Sequence, residues 1–268
     1  MKKRTIATIL TGVLLVVGLT GCGAAKQTEE NEKDLLASIK EAGVIKVGTE
    51  GTYAPYTYHD DSGELVGYDV EVAQAVAEKL GVKAEFVETK WDSIIAGLDA
   101  KRFDIIVNQV GITPERQQKY NFSIPYTYTK GALIVKESNQ DIKSFEDLSG
   151  KKSAQSLTSN WAKLAESYGA ELVGTDGFNQ SIDLVLAGRA DATINDNLTF
   201  YDYVNQKPDA DVKIAALSDE SSQNGILIRQ GNESLVEAID AALAELTADG
   251  TLKQISEKYF GVDVSVEQ

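Results

Sequence analysis

Residues 108–116 read Asn-Gln-Val-Gly-Ile-Thr-Pro-Glu-Arg. An apolar run at 105–107 leads into them. Thr113-Pro114-Glu115 has the form of a helix start, because Thr caps well and Pro fits the first helical position. A strand end and a helix N-terminus would then meet around Gly111, where free backbone N–H groups favour an anion. Arg116, one turn further, can grip a carboxylate through two parallel hydrogen bonds. The same residues also read as a surface loop carrying a solvated arginine.

An internal repeat gives this stretch a partner. Arg102-Phe103-Asp104-Ile105-Ile106-Val107-Asn108 aligns, 87 residues on, with Arg189-Ala190-Asp191-Ala192-Thr193-Ile194-Asn195. Trp91 falls on Phe178 and Gln109 on Asp196. Coincidence is the competing explanation, since R-x-D is common; three identities in a shared helix–turn–strand setting favour two similar lobes. Ligands of open α/β sheets sit beyond the carboxyl ends of strands. Two facing lobes would bring Arg116 and Asp196 to one cleft. A cation from one side and an anion from the other suit a zwitterion: Arg116 for an α-carboxylate, Asp196 for an α-ammonium. Backbone N–H groups of Gly111 and Thr158 would add donors, and Thr158-Ser159 is itself a helix start. Tyr53 and Trp91 offer flat apolar walls, or simply core packing. Glu50 is a second acid near the first strand end.

The elements that must hold these residues alternate. Residues 35–42 can form a helix stopped by Gly43, and 44–47 a strand. Asp69 is expected to cap a helix carrying Val72, Ala73, Val76, Ala77 and Leu80. Strands follow at 83–87 and 103–107, with a helix from Trp91 between them. In the second part, strands are expected at 133–135, 152–154, 171–173, 192–194, 213–217 and 225–229. Helices are expected at 161–168, 178–187, 234–248 and 252–259. This β-α-β order predicts α/β architecture, a parallel sheet with helices on both faces.

Other chemistry is poorly supplied. His59 is the one histidine of the chain, in a polar turn that reads as solvated. It leaves no His-based metal cluster and makes a Ser-His-Asp triad improbable. No phosphate-binding loop or dinucleotide fingerprint appears, so neither a cofactor nor an enzyme is expected.

Residues 1–21 read as a leader rather than as part of the fold. Lys2, Lys3 and Arg4 precede an apolar run of about 14 residues, short of the roughly 20 that span a bilayer. Leu19-Thr20-Gly21 then meets Cys22, the single cysteine. This pattern resembles the lipobox of bacterial lipoproteins, where the cysteine is lipidated and becomes the mature N-terminus. An ordinary signal peptide beside a chance cysteine is the alternative. Residues 22–33 are small and polar and read as the lipidated cysteine and a flexible linker. About 235 residues remain, enough for one large or two small domains, and with no second cysteine the core must stabilise them. Removing 1–21 takes away three basic residues and no acidic one, leaving 23 against 41, a net charge of −18. That disfavours nucleic acid and anionic lipid as partners.

The residues from 34 to 262 resemble the family 3 solute-binding proteins of polar amino-acid ABC importers. The resemblance rests on Gly48-Thr49-Glu50 with Tyr53 and Pro55, Gly63-Glu64-Leu65-Val66-Gly67-Tyr68-Asp69, and Trp91-Asp92. It rests also on Ile112-Thr113-Pro114-Glu115-Arg116, Phe122-Ser123 with Pro125-Tyr126, and Gly188-Arg189 with Asp191. It implies the type II periplasmic-binding-protein fold: two lobes, a two-strand hinge near 127–131 and 219–223, and a ligand cleft between them. The expected boundaries are 34–127 plus 223–268 for lobe 1 and 128–222 for lobe 2. It implies Arg116 on the α-carboxylate with the main chain at Gly111 and Thr158, Asp196 on the α-ammonium, and a Tyr53–Trp91 sandwich. Lys90-Trp91-Asp92, Asn108-Gln109-Val110 and Ser156 to Trp161 look most like cystine-binding members, which makes Asn108, Gln109 and Ser159 further candidate ligand contacts. Basic-amino-acid binders usually carry Asp in place of Glu50 and Ser in place of Asn108 and Gln109. The implied protein is a monomeric, lipid-anchored extracytoplasmic receptor of Gram-positive type. It hands a free amino acid to membrane permease subunits served by a separate ATPase. Glutamine or another polar amino acid is the alternative ligand. A dehydratase and an adhesive or sensory surface protein are the alternative uses of the fold.

Overall fold

The structure, a computed structural model, describes residues 34–267. The leader and linker readings, Cys22 among them, lie outside the described residues.

Two five-stranded sheets organise the chain. In the first, Val44–Thr49 pairs in parallel with Lys83–Glu88 on one side and Ile105–Ile106 on the other. Leu227–Arg229 then runs antiparallel between Ile105–Ile106 and Tyr120–Phe122. In the second, Lys152–Gln155 pairs in parallel with Glu171–Gly174 and Ala192–Asp196. Thr127–Lys136 joins it antiparallel, followed by Val212–Asn224. The expected parallel sheet is found in each half, with antiparallel strands added to it. Each sheet has a parallel centre built from β-α-β crossovers, and antiparallel strands where the chain passes between the sheets. Those passing segments have no crossover helix to return them parallel.

Both faces of each sheet are covered, because neighbouring strand residues point opposite ways. Ile105 packs with Val72, Val76, Ile239 and Leu243, whereas Ile106 packs with Ile94, Leu98 and Phe103. In the second sheet Ile134 faces Phe178, Ile182 and Phe200, while Leu133 and Val135 face Phe145, Leu148 and Ala165.

The link between the lobes is two antiparallel segments in register, Lys130 opposite Ser221 and Thr127 opposite Asn224. The register breaks between Leu217 and Ser221, so the outer strand bends there. The strand found is Thr127–Lys136, longer than the apolar triplet 133–135. Its first residues face polar groups, which hid them from a hydrophobic pattern. The strand expected at 103–107 narrows to Ile105–Ile106, and that at 213–217 extends to Val212–Asn224.

Asp69 does not cap its helix. The helix is Tyr68–Lys79, and its N-cap is Gly67 at φ +133°. A Cβ on Gly67 would come within 2.2 Å of the Tyr56 carbonyl oxygen, so no other residue fits without moving the chain. Asp69, in the first turn of this helix, is fully buried.

Candidate functional site

The repeat has a physical basis. Asp104 and Asp191 each accept a hydrogen bond from a backbone N–H of the neighbouring strand, Lys46 and Lys152 respectively, at 2.8 Å. Each returns its own N–H to the same residue's carbonyl, at 2.9 and 2.8 Å. The aspartate thus splices the helix–turn–strand unit onto the preceding strand in both lobes. The helices of these units begin at Trp91 and Phe178. Their strands end at the two faces of one cleft.

That cleft has a free volume of about 540 Å³, its open mouth included. From the first sheet's side it is lined by Glu50, Thr52, Tyr53, Trp91, Asn108 and Gln109. From the second come Gln155, Ser156, Ser159, Asn160 and Trp161, then Gly177, Phe178, Ser181, Asn195 and Asp196. Seven of the ten expected site residues are lining residues. Arg116, Gly111 and Thr158 are not.

Arg116 lies just behind the lining. Its guanidinium carbon is 5.4 Å from the centroid of the Trp91 ring, and its Nη1 donates to the Gly111 carbonyl at 2.9 Å. Burial lowers its pKa to about 10, with the charge of Glu115 opposing. The helix expected here is a single turn, Pro114–Gln117, whose cap Thr113 accepts from the Arg116 N–H at 3.2 Å. One turn carries little dipole, so the positive charge of this stretch is that of the guanidinium rather than of the helix end. The Gly111 carbonyl is committed to Arg116. Thr158 uses its N–H and its hydroxyl on one carboxylate oxygen of Asp92, at 3.2 and 2.8 Å. In this arrangement that N–H serves the contact between lobes. Ser159 caps the helix Asn160–Ser167, accepting from the Ala162 N–H at 3.0 Å.

Asp196 sits at the opposite wall, 2% exposed. Thr129 Oγ1 donates to it at 2.6 Å, and the Tyr53 hydroxyl lies 2.9 Å away. The same hydroxyl is 2.6 Å from Asn195 Oδ1. Tyr53 therefore spans the two lobes in addition to offering a ring. Burial pushes the Asp196 pKa up to about 6. Glu50 is pushed up to about 7, first by burial, then by the charges of Asp176 and Asp92, while a hydrogen bond from Asn108 opposes. Asn108 Nδ2 donates to Glu50 Oε2 at 2.7 Å, and its Oδ1 accepts from the Glu50 N–H at 2.8 Å.

Asp69 is a residue sequence reasoning missed. Its carboxylate accepts from the Gln109 N–H at 2.8 Å and from Gln109 Nε2 at 2.7 Å. Burial pushes its pKa up to about 7. His59 is exposed, as expected, and stands at the edge of a small three-stranded sheet, with Nε2 3.2 Å from Glu88 and Nδ1 3.2 Å from the Gly51 carbonyl. The lobe 2 lining residues Phe178 and Asn195 were findable: the 87-residue offset carries Trp91 to Phe178 and Asn108 to Asn195.

Outside the cleft the lobes meet in two ion pairs, Lys90 with Asp176 and Lys163 with Glu115. With the Asp92–Thr158 and Tyr53–Asp196 bonds these describe a closed arrangement.

Three acids at or behind the cleft, each with its pKa raised by burial, set a pH dependence. Glu50, Asp69 and Asp196 hold protons in the fold up to about 6–7, but in the unfolded chain only to about 4. The folded protein thus binds more protons between those values. The stability this brings is complete below about pH 4 and is lost as pH rises through 6–7. The melting temperature of the unliganded protein is expected to fall between about pH 5 and pH 8. A flat or rising profile in a thermal scan would remove the buried acids from the account.

The sequence profile of bacterial extracellular solute-binding proteins, family 3, matches residues 45–262. The L-cystine-binding protein TcyA of Bacillus subtilis (strain 168) is 47% identical over 270 residues, covering 99% of this chain and 100% of that one. The L-cystine solute receptor of Neisseria gonorrhoeae, solved unliganded and open, is 50% identical, with 87% of this chain and 99% of that chain covered and a TM-score of 0.59. An ancestral arginine-binding protein bound to arginine is 40% identical, with 82% and 99% covered and a TM-score of 0.77. The better superposition on the less identical, liganded structure agrees with the interlobe contacts described above.

Proposed function

Because the chain belongs to the bacterial extracellular solute-binding proteins, family 3, we propose that it is the substrate receptor of an amino-acid ABC importer and that its ligand is L-cystine. The observation that carries this reading is the pair of opposite buried charges. Arg116 lies behind Trp91 on one side of the cleft, and Asp196 lines the other. A free amino acid brings a carboxylate to the first and an ammonium to the second, so each buried charge gains the partner it lacks. The ligand then bridges the lobes and holds them closed. Lobe 1 would comprise 34–127 with 223–268, and lobe 2 128–222.

Cystine is favoured by what lies beyond one zwitterion. Glu50, tied to Asn108, stands in the same cleft and offers a second place for an ammonium. The amides of Asn108, Gln109, Gln155, Asn160 and Asn195 suit a long ligand polar at both ends. The two cystine-binding relatives support the same choice. Glu50 is the one lining acid available for an enzymatic role besides Asp196, and its bond to Asn108 supports binding rather than proton transfer. The location is extracytoplasmic. Anchoring would be through lipid on Cys22 in a cell membrane of Gram-positive type, the receptor acting as a monomer beside its permease and ATPase. Cys22→Ser should move the protein from the membrane to the soluble fraction, and continued sedimentation with membranes would overturn the anchor.

A thermal-shift panel of the free amino acids and L-cystine tests the ligand. At a hundredfold excess over Kd a ligand adds about 2.7 kcal/mol, or about 5–10 °C for a chain of this size. L-Cystine should give the largest shift. A larger shift with glutamine or arginine would replace cystine, and no shift with any amino acid would overturn the function.

A further inference from the structure

We propose that Asp69 is a positioning residue that fixes the side-chain amide of Gln109, so that its carbonyl oxygen is presented to the cleft as an acceptor for a ligand N–H. The proposal rests on the reading of this cleft as an amino-acid site. Asp69 lies in the first turn of Tyr68–Lys79, fully buried and outside the lining. Its two oxygens are used with a defined sense. Oδ2 accepts from the Gln109 backbone N–H at 2.8 Å, and Oδ1 accepts from Gln109 Nε2 at 2.7 Å and from the Tyr126 hydroxyl at 3.1 Å. Thr127 Oγ1 lies 3.2 Å from the same Nε2. Gln109 is held at φ +49°, in the left-handed region that non-glycine residues rarely occupy.

An amide has a donating end and an accepting end. With Nε2 against a carboxylate, the reverse orientation would set oxygen against oxygen. The buried carboxylate, when ionised, therefore decides which end of the amide is left without a partner. Gln109 is 5% exposed and lines the cleft, and its Oε1 is buried with no partner among the described residues. A buried acceptor left unpaired is costly, and a ligand N–H removes that cost. An ammonium carries three N–H groups. The oxygens of Asp196 are already engaged by Thr129 and Tyr53. A second acceptor on the other lobe would complete the shell of an ammonium. The preference for an amine-bearing ligand would then depend on a residue that never touches it.

Asp69→Asn tests this directly. The new Oδ1 still serves the Gln109 N–H, but the new Nδ2 faces the Gln109 side chain. The amide turns over and offers N–H to the cleft. Affinity for L-cystine should fall about tenfold to hundredfold in calorimetry. Adding Gln109→Glu in the same chain should restore it to within about threefold, because a carboxylate accepts from Nδ2 with one oxygen and presents the other. If Asp69 were merely structural, the double variant would bind as weakly as the single one, and that result would overturn the proposal. Gln109→Met keeps the proposal testable should Asp69→Asn fail to fold. It removes the acceptor and should also cost about tenfold, and unchanged affinity refutes the proposal. Wild-type protein that binds no amino acid would instead overturn the function, so the two failures are distinguishable.

Discussion

Arg116→Ala is expected to abolish amino-acid binding, weakening it by about a hundredfold to a thousandfold in calorimetric titration, the cost of losing one partner of a buried ion pair. The effect is large because no lysine or other arginine is among the described residues that line the cleft. Arg116 is 8% exposed, its pKa is lowered by burial, and its Nη1 bonds a neutral carbonyl. A ligand carboxylate would be its first full countercharge. Arg116→Lys keeps the charge and loses the planar fork, so it should recover part of the affinity but not all. The unliganded Ala variant should melt no lower than wild type, since it sheds a buried charge that lacks a partner. Wild-type affinity in the Ala variant would remove Arg116 from the site.

Asp196→Asn should be nearly as severe, with about a hundredfold loss of affinity, because the ligand ammonium would then be buried against a neutral amide. The substitution is close to isosteric: Thr129 can still donate to the remaining oxygen, and the Tyr53 hydroxyl can accept from the new Nδ2 while donating to Asn195 Oδ1, so the fold should survive. Its pH profile separates the charge from the shape. In the wild type, burial raises the Asp196 pKa to about 6, so affinity should fall as pH drops below that value and the carboxylate is protonated. In the Asn variant this part of the profile should be flat. Equal binding by the two proteins at about pH 8 would contradict a clamp made from both lobes.

The alternation of strands and helices was legible in the sequence because apolar periodicity tracks burial on both faces of each sheet. The repeat was legible for a stronger reason. Asp104 and Asp191 perform the same splice in each lobe, so the same residue type recurs at the same place. What escaped was polar and long-range. Asp69 looks like a helix cap by its neighbours, but the helix starts from Gly67, which passes close to Tyr56, and Asp69 is buried in its first turn. Its partner Gln109 is 40 residues away. The bond from the Thr158 N–H to Asp92, on the other lobe, joins residues 66 apart and has no signal in the sequence. The antiparallel strands between the lobes were missed because their polar first residues break the hydrophobic pattern. Arg116 was singled out by its spacing from Gly111 and Thr113, and it lies one layer behind the cleft wall, at the back of Trp91.

The central claim is that one free zwitterion is held between Arg116 and Asp196. Calorimetric titration of the protein with L-cystine, its N,N′-diacetyl derivative and its dimethyl ester tests that claim most directly. The account predicts one-to-one binding of L-cystine and loss of binding when either the ammonium groups or the carboxylates are blocked. Binding of either blocked derivative as tightly as L-cystine would contradict it.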